Sequence, residues 1–179
     1  EAYRWDAGKK TVEGDMRAFD LGQRYPLIIL TANAVCHLLS LVDVEACLAA
    51  VHEHLTAAGR FIVTVFVPNQ AKLCRRSATR EPFAEYEDPD GRGRVVVTHT
   101  YEYEPDTQNK RITTWHQVGD DPEETPGRLD MRMYYPQELD ALLRYNRFRI
   151  AHKWGDFQRH PFGPDSELQI VVCGRGSPA

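Results

Sequence analysis

Residues 12–19 read VEGDMRAF: a β-branched residue, then a Gly-Asp pair, then Met, Arg and an apolar Phe. Gly14 and Asp15 end a short strand expected over KTVEG, residues 10–14. A carboxylate at the end of a strand is where α/β sheets meet ligands. It is also where Asp sits for turn chemistry alone, because its side chain bonds the backbone two residues on. The segments that follow decide between these readings.

PLIILT (26–31) is a continuous apolar run, the pattern of a strand covered on both faces in a parallel sheet. VDVEACLAAVHEHLTA (42–57) places Val44, Cys47, Leu48, Val51 and Leu55 at helical spacing. Asp43 is expected to cap this helix and Gly59 to stop it. RFIVTVFVP (60–68) is a second buried strand that ends at Pro68. Strand, helix, strand in this rhythm is a βαβ unit, so the two strands are expected to run parallel.

Residues 70–93 are polar, with Pro82, Pro89, Gly91 and Gly93, and read as a mobile connection or lid. VVVTHTYEYE (95–104) and RITTWHQV (111–118) alternate across the turn-rich PDTQNK and predict an antiparallel hairpin. GDDPEETPG (119–127) reads as an acidic loop and LDMRMY (129–134) as a third strand. Pro136 suits the first turn of a helix over 137–145, with Leu139, Leu142 and Leu143 on one face. RIAHKWGDF (149–157) and ELQIVVCGR (167–175) predict an antiparallel pair at the sheet edge.

The bulk numbers agree with an ordinary globular α/β chain. Its 179 residues are 42% hydrophobic and 27% charged, with formal charge −4 and pI about 6.0. Nucleic-acid and membrane partners favour a basic face, which this balance does not offer. No apolar stretch reaches the ~20 residues of a bilayer span. A cytoplasmic location is therefore expected. Cys36, Cys47, Cys74 and Cys173 form no CxxC pair and have no ligand spacing with histidine. They read as small buried hydrophobes, and no metal site is expected.

In order, these pieces resemble class I S-adenosylmethionine-dependent methyltransferases, nearest to the small-molecule sugar N-methyltransferase and glycine N-methyltransferase-like kind. The resemblance rests on Gly14-Asp15-Met16-Arg17-Ala18-Phe19 after the family's third strand and on Asn33-Ala34-Val35-Cys36-His37-Leu38 after its fourth. Leu55 to Phe61 before the fifth strand, Gly155-Asp156-Phe157 and Pro164-Asp165-Ser166 complete it. Tyr25-Pro26 stands for the family's Phe-Asp, and Ala57-Ala58-Gly59 for its Pro-Gly-Gly. The glycine-rich loop that cradles the cofactor's methionine part and the acid that holds its ribose have no counterpart here. GRGR (91–94) is the nearest echo, but it precedes an antiparallel strand.

The resemblance implies a Rossmann-like fold lacking its first two strands, with family strand order 3-2-1-4-5-7-6. Residues 1–69 and 135–179 would be the partial core, and 70–134 a lid and antiparallel insertion over the substrate site. It implies S-adenosylmethionine as cofactor and a small-molecule N or O acceptor. Asp15 would accept from the adenine amino group, with the Met16 backbone beside the ring and Asn33 nearby. His37 could take the acceptor's proton or orient the substrate, but a histidine that caps the next helix or packs in the core is an equal reading. Tyr101, Trp115, Arg132 and Tyr134 are the substrate-side candidates. His99, Tyr103, His116, His160 and Phe162 follow them, and sheet packing is the alternative for most.

A sheet without those two strands leaves backbone groups unpaired beside 26–31. The expectation is a fragment of a longer protein, impaired in cofactor binding, whose residues 1–24 depart from the family fold and whose chain forms a homodimer or otherwise self-associates at this edge. The alternative function is a non-catalytic or split domain that acts by self-association.

Overall fold

The computed structural model describes residues 11–74, 79–119 and 121–176. Strand β1 (Tyr25–Leu30) leads through a short 3-10 turn, Ala34–His37, into helix α1 (Leu41–His54) and strand β2 (Leu55–Phe66). A single-turn helix α2 (Gln70–Leu73) follows, then strands β3 (Glu81–Glu87), β4 (Arg94–Glu104), β5 (Asn109–Val118) and β6 (Glu124–Arg132). Helix α3 (Pro136–Tyr145) and strands β7 (Phe148–Trp154) and β8 (Leu168–Arg175) close the described chain. The strands form two sheets, in orders β1-β2-β8-β7 and β3-β4-β5-β6. No helix among the described residues is long and apolar enough to cross a membrane.

The βαβ unit forms as its periodicity predicts: β1 and β2 are parallel, paired from Leu27↔Arg60 to Leu30↔Val63. Its caps differ. Ser40, not Asp43, is the N-cap of α1: its Oγ accepts the Asp43 N–H at 3.1 Å and donates to Asp43 Oδ2 at 2.6 Å. Asp43 sits three residues inside, where a carboxylate suits the positive helix end. At the other end the helix stops at His54 and β2 begins at once with Leu55. Gly59 is therefore not a helix stop. It lies where β2 runs five residues against two of β1, between the pairs Tyr25↔Leu55 and Leu27↔Arg60. A Cβ on Gly59 would come within 2.8 Å of Leu55 Cδ1.

The core lies between the first sheet and its two helices. Val44, Cys47, Leu48 and Val51 of α1, Leu139 and Leu143 of α3, and Phe61, Val63 and Val65 of β2 are all at most 4% exposed. Strand β8, flanked by β2 and β7, is buried from Gln169 to Gly174. Strand β1 is not covered on both faces as its apolar run predicts. Ile28 and Leu30 pack on the core, but Leu27 is 47% and Ile29 53% exposed. The strand is a sheet edge whose second face no described element covers, so alternate side chains point outward. The expected strand over 10–14 is also not found: Lys10 lies outside the described residues, and 11–14 pair with no strand.

The second sheet contains the expected hairpin, paired without slip from Val95↔Val118 to Glu104↔Asn109. It has one strand more than the sequence signals. β3 lies in the stretch read as a polar connection and is exposed throughout. Pro82 is tolerated there because β3 is an edge. β6 begins in the acidic loop, five residues before the expected start. Tyr134 joins the two halves: its hydroxyl donates to the Leu38 carbonyl at 2.5 Å, while Gln169 Nε2 donates to the Tyr134 carbonyl at 2.9 Å. Of the four cysteines, Cys36, Cys47 and Cys173 are buried as expected and Cys74 is exposed. Burial pushes the Cys36 and Cys173 thiols up to about 12, which makes them inert.

Candidate functional site

Gly14 to Phe19 forms a tight turn, with the Ala18 N–H donating to the Asp15 carbonyl at 3.0 Å. Arg17 organises it. Its Nε and terminal nitrogen hold the Asp15 carboxylate at 2.6–3.1 Å, and its other nitrogen reaches Asp43 Oδ1 at 2.8 Å. The turn is thereby stapled to the first turn of α1, while Met16 and Phe19 pack against the core. Hydrogen bonds from the Arg17 side chain and backbone lower the Asp15 pKa to about 2. Asp15 remains exposed to solvent and available as an acceptor.

Beside this turn lies an open groove of about 590 Å³ that runs along the free edge of β1. Asp15 and Met16 stand with Leu27, Ile28 and His54 in its lining. The His54 ring packs 4.7 Å from that of Phe19, on the same turn. Its Nδ1 lies 2.8 Å from the Ala50 carbonyl and must donate, which leaves Nε2 to accept the Leu21 N–H at 3.0 Å.

At the carboxyl ends of the parallel strands, Asn33 adopts a left-handed conformation (φ 61°). Its Oδ1 accepts the Phe66 N–H at 3.0 Å and so bridges the ends of β1 and β2. Asn tolerates this conformation better than most residues, which gives the position a backbone reason as well. His37 ends the 3-10 turn with an exposed ring, so the core-packed reading does not apply.

The four substrate-side candidates are not gathered in one place. Tyr101, 9% exposed, donates its hydroxyl to the Lys72 carbonyl at 2.6 Å. Trp115 pairs with Thr98, so it points to the sheet face opposite Tyr101, where the Arg80 guanidinium covers its ring at 3.8 Å. Arg132 is 9% exposed and spends its charge on Glu138 at 2.6 Å and Gln108 at 3.1 Å. Tyr134 is fully buried in the contacts described above. Arg132, through Glu138, joins β6 to α3, and its Nε is buried without a partner. His160 lies on an exposed loop, paired with Asp156 at 2.6 Å.

The face that carries Tyr101 holds polar groups that sequence reading passed over. Lys110, cross-strand from Tyr103, places its Nζ 4.1 Å from the Tyr101 ring centre. The Tyr103 and Tyr135 hydroxyls lie 3.4 Å apart. Burial and then Tyr135 raise the Tyr103 pKa above its ordinary value, so Tyr103 stays a neutral donor. Lys110 and Tyr135 carry no motif. Pairing the hairpin residue by residue would have placed Lys110 beside Tyr103. No group of three or more metal-ligating side chains forms among the described residues.

No protein-family model matches the chain, and no curated protein matches it. Solved structures do. The CcbJ methyltransferase from Streptomyces caelestis aligns at TM-score 0.74 and 22% identity, over 93% of this chain and 63% of that one. The chain has the fold of S-adenosylmethionine-dependent methyltransferases. An S-adenosylmethionine-dependent methyltransferase from Clostridium acetobutylicum aligns at TM-score 0.72 and 16% identity, over 92% of this chain and 63% of that one. The sugar N-methyltransferase KedS8 from a Streptoalloteichus species gives 0.65 and 16%, over 92% and 61%. The chain thus spans less than two thirds of the methyltransferase structures it matches.

Proposed function

We propose that this chain takes part in methyl transfer from S-adenosylmethionine to a small-molecule N or O acceptor. The observation that carries this reading is Asp15: an ionised, solvent-facing carboxylate on a turn that borders an open groove in a methyltransferase fold. A carboxylate accepts hydrogen bonds only, which suits the amino group of adenine. Met16, on the same turn, would lie beside the ring, and Asn33 would stand at the strand end. The cofactor supplies an electrophilic methyl group. The chain's own residues would orient the acceptor and manage its proton. His37, exposed after β1, is the candidate base, and Tyr101 is the residue of the original four that faces the inner side of the second sheet.

In this reading residues 1–69 and 135–179 form a partial core, and 70–134 form the lid and insertion. The order β1-β2-β8-β7 supports equating these strands with the fourth, fifth, seventh and sixth of the family fold. The ribose and methionine parts of the cofactor would need polypeptide along the open β1 edge. We therefore expect this chain alone to bind S-adenosylmethionine weakly.

Adenosine titrated into the isotope-labelled protein tests the site. Amide shifts centred on Asp15 to Phe19, lost in Asp15→Asn, are expected. Shifts elsewhere, or none at millimolar adenosine, overturn the assignment. A second reading, a non-catalytic domain acting by self-association, is favoured by the apolar side chains left open on β1.

A further inference from the structure

Arg60 and Arg149 stand either side of Gly174 in the first sheet. The three residues are in direct register across β2, β8 and β7, so both arginine side chains leave the sheet on one face. A side chain on Gly174 would begin 3.4 Å from Arg60 Nη1 and 3.9 Å from Arg149 Nη2. The glycine thus leaves one point open between two guanidinium groups. It is buried although it has no side chain of its own.

The irregularity in β2 aims Arg60. Its Nη1 donates to the Ala58 and Gly59 carbonyls at 3.0 and 3.1 Å, and these two residues end the stretch in which β2 outruns β1. Bulges commonly re-aim a side chain in this way. Among the described residues, Nε and Nη2 of Arg60 have no partner, and the Arg149 side chain makes no hydrogen bond. Neither arginine belongs to an ion pair there. The neighbouring strand positions on this face offer no acid either. Leu27 stands beyond Arg60, and the next row is Ile29, Ile62, Val172 and His152. A guanidinium does not give up its proton in a protein, so the pair stays doubly positive. That is a local surplus in a chain whose formal charge is −4.

We propose that Arg60 and Arg149 form a binding site for an oxyanion, a phosphate or carboxylate group, over Gly174. The planar guanidinium fork matches the oxygens of both groups, and charge-assisted bonds of this kind are the strong ones. The site lies at the opposite end of β2 from Asn33, which holds the Phe66 N–H. The separation along the strand is about 20 Å. It is therefore a second site, independent of the methyltransferase reading and away from the strand ends that carry Asn33 and His37. Leu27, 47% exposed, and Ile62 would meet the apolar remainder of the ligand.

The test titrates inorganic phosphate and acetate into the protein at constant ionic strength, with chloride as the balancing anion. Binding is read from the Arg60 and Arg149 side-chain N–H resonances and the Gly174 amide. At least one probe is expected to shift all three saturably at millimolar concentration, and the tighter probe identifies phosphate or carboxylate. Arg149→Gln is expected to weaken that binding about ten-fold, the loss of one charge-assisted bond. Its side chain holds nothing in the fold, so this variant tests the site independently of folding. Arg60→Gln should weaken binding similarly, with the amide spectrum away from β2 unchanged. Arg144→Gln, the same charge change on the exposed side of α3, should leave affinity as it was. Absence of saturable shifts with both probes, unchanged affinity in Arg149→Gln, or equal weakening by Arg144→Gln overturns the site. None of these outcomes bears on the adenosine result at Asp15.

Discussion

At Arg17 one side chain does two jobs: it holds Asp15 ionised and it fastens the turn to α1. Arg17→Ala is expected to raise the Asp15 pKa from about 2 towards its ordinary value but not fully to it, because the backbone N–H of residue 17 still donates to the carboxylate, as read by a carboxyl carbon titration. An unchanged value would mean that the turn, not the guanidinium, sets it. His52 makes a second residue-scale case. It is 4% exposed, with Nδ1 facing the Arg175 guanidinium at 3.3 Å and Nε2 unpartnered. Burial, then Arg175 and Arg147, lowers its pKa. The unfolded chain takes up this proton near pH 6.5, while the folded chain refuses it until a lower pH. Stability from this group is complete above the unfolded value and is lost as pH falls towards the folded one. Urea midpoints at pH 7.5 and 5.5 should show that loss, and His52→Gln should flatten it. His99, lowered in the same direction, adds to the slope.

Each helix and sheet joint depends on a few bonds that can be removed singly. Ser40→Ala removes the α1 cap, both the acceptor for the Asp43 N–H and the donor to its carboxylate. A loss of about 1 kcal/mol in urea unfolding is expected, with Ser40→Asp close to wild type. Tyr134→Phe leaves the buried Leu38 carbonyl without its donor. The expected cost is about 1–3 kcal/mol. If Tyr134 touched substrate instead, the change would spare stability. Strand β3 illustrates the limit of pattern reading at this scale. Every residue of it is exposed, so no alternation marks it, and its pairing with β4 makes it a strand.

At the scale of the molecule the unbalanced feature among the described residues is the β1 edge, where Leu27 and Ile29 face out beside backbone groups that no described strand pairs. Such edges recruit another strand unless something blocks them. Self-association that grows with concentration in light scattering is expected, and Ile29→Lys should reduce it without changing the α1–β2 core. A monomer at all concentrations, for wild type and variant alike, would show that the edge is already protected.

The local elements were legible because each rests on a periodicity that the chain carries in itself. The heptad-like spacing of Val44 to Val51 could bury only one helix face, Pro136 could only open a helix, and the alternation of 95–104 and 111–118 could only make a hairpin. The order of the pieces also pointed to the methyltransferase fold. What the chain could not disclose locally was neighbourhood. An apolar run such as PLIIL reads alike whether one or both faces are covered, because coverage belongs to other segments. The partners of Arg132, Trp115 and Tyr134 were not legible either, since a polar or aromatic side chain announces a need for partners but not who they are. Only the folded chain gave Arg132 to Glu138 and Tyr134 to Leu38, and turned Trp115 to the far face. It also brought Lys110 and His99, from two strands, to the Tyr101 ring, a contact that no sequence spacing encodes.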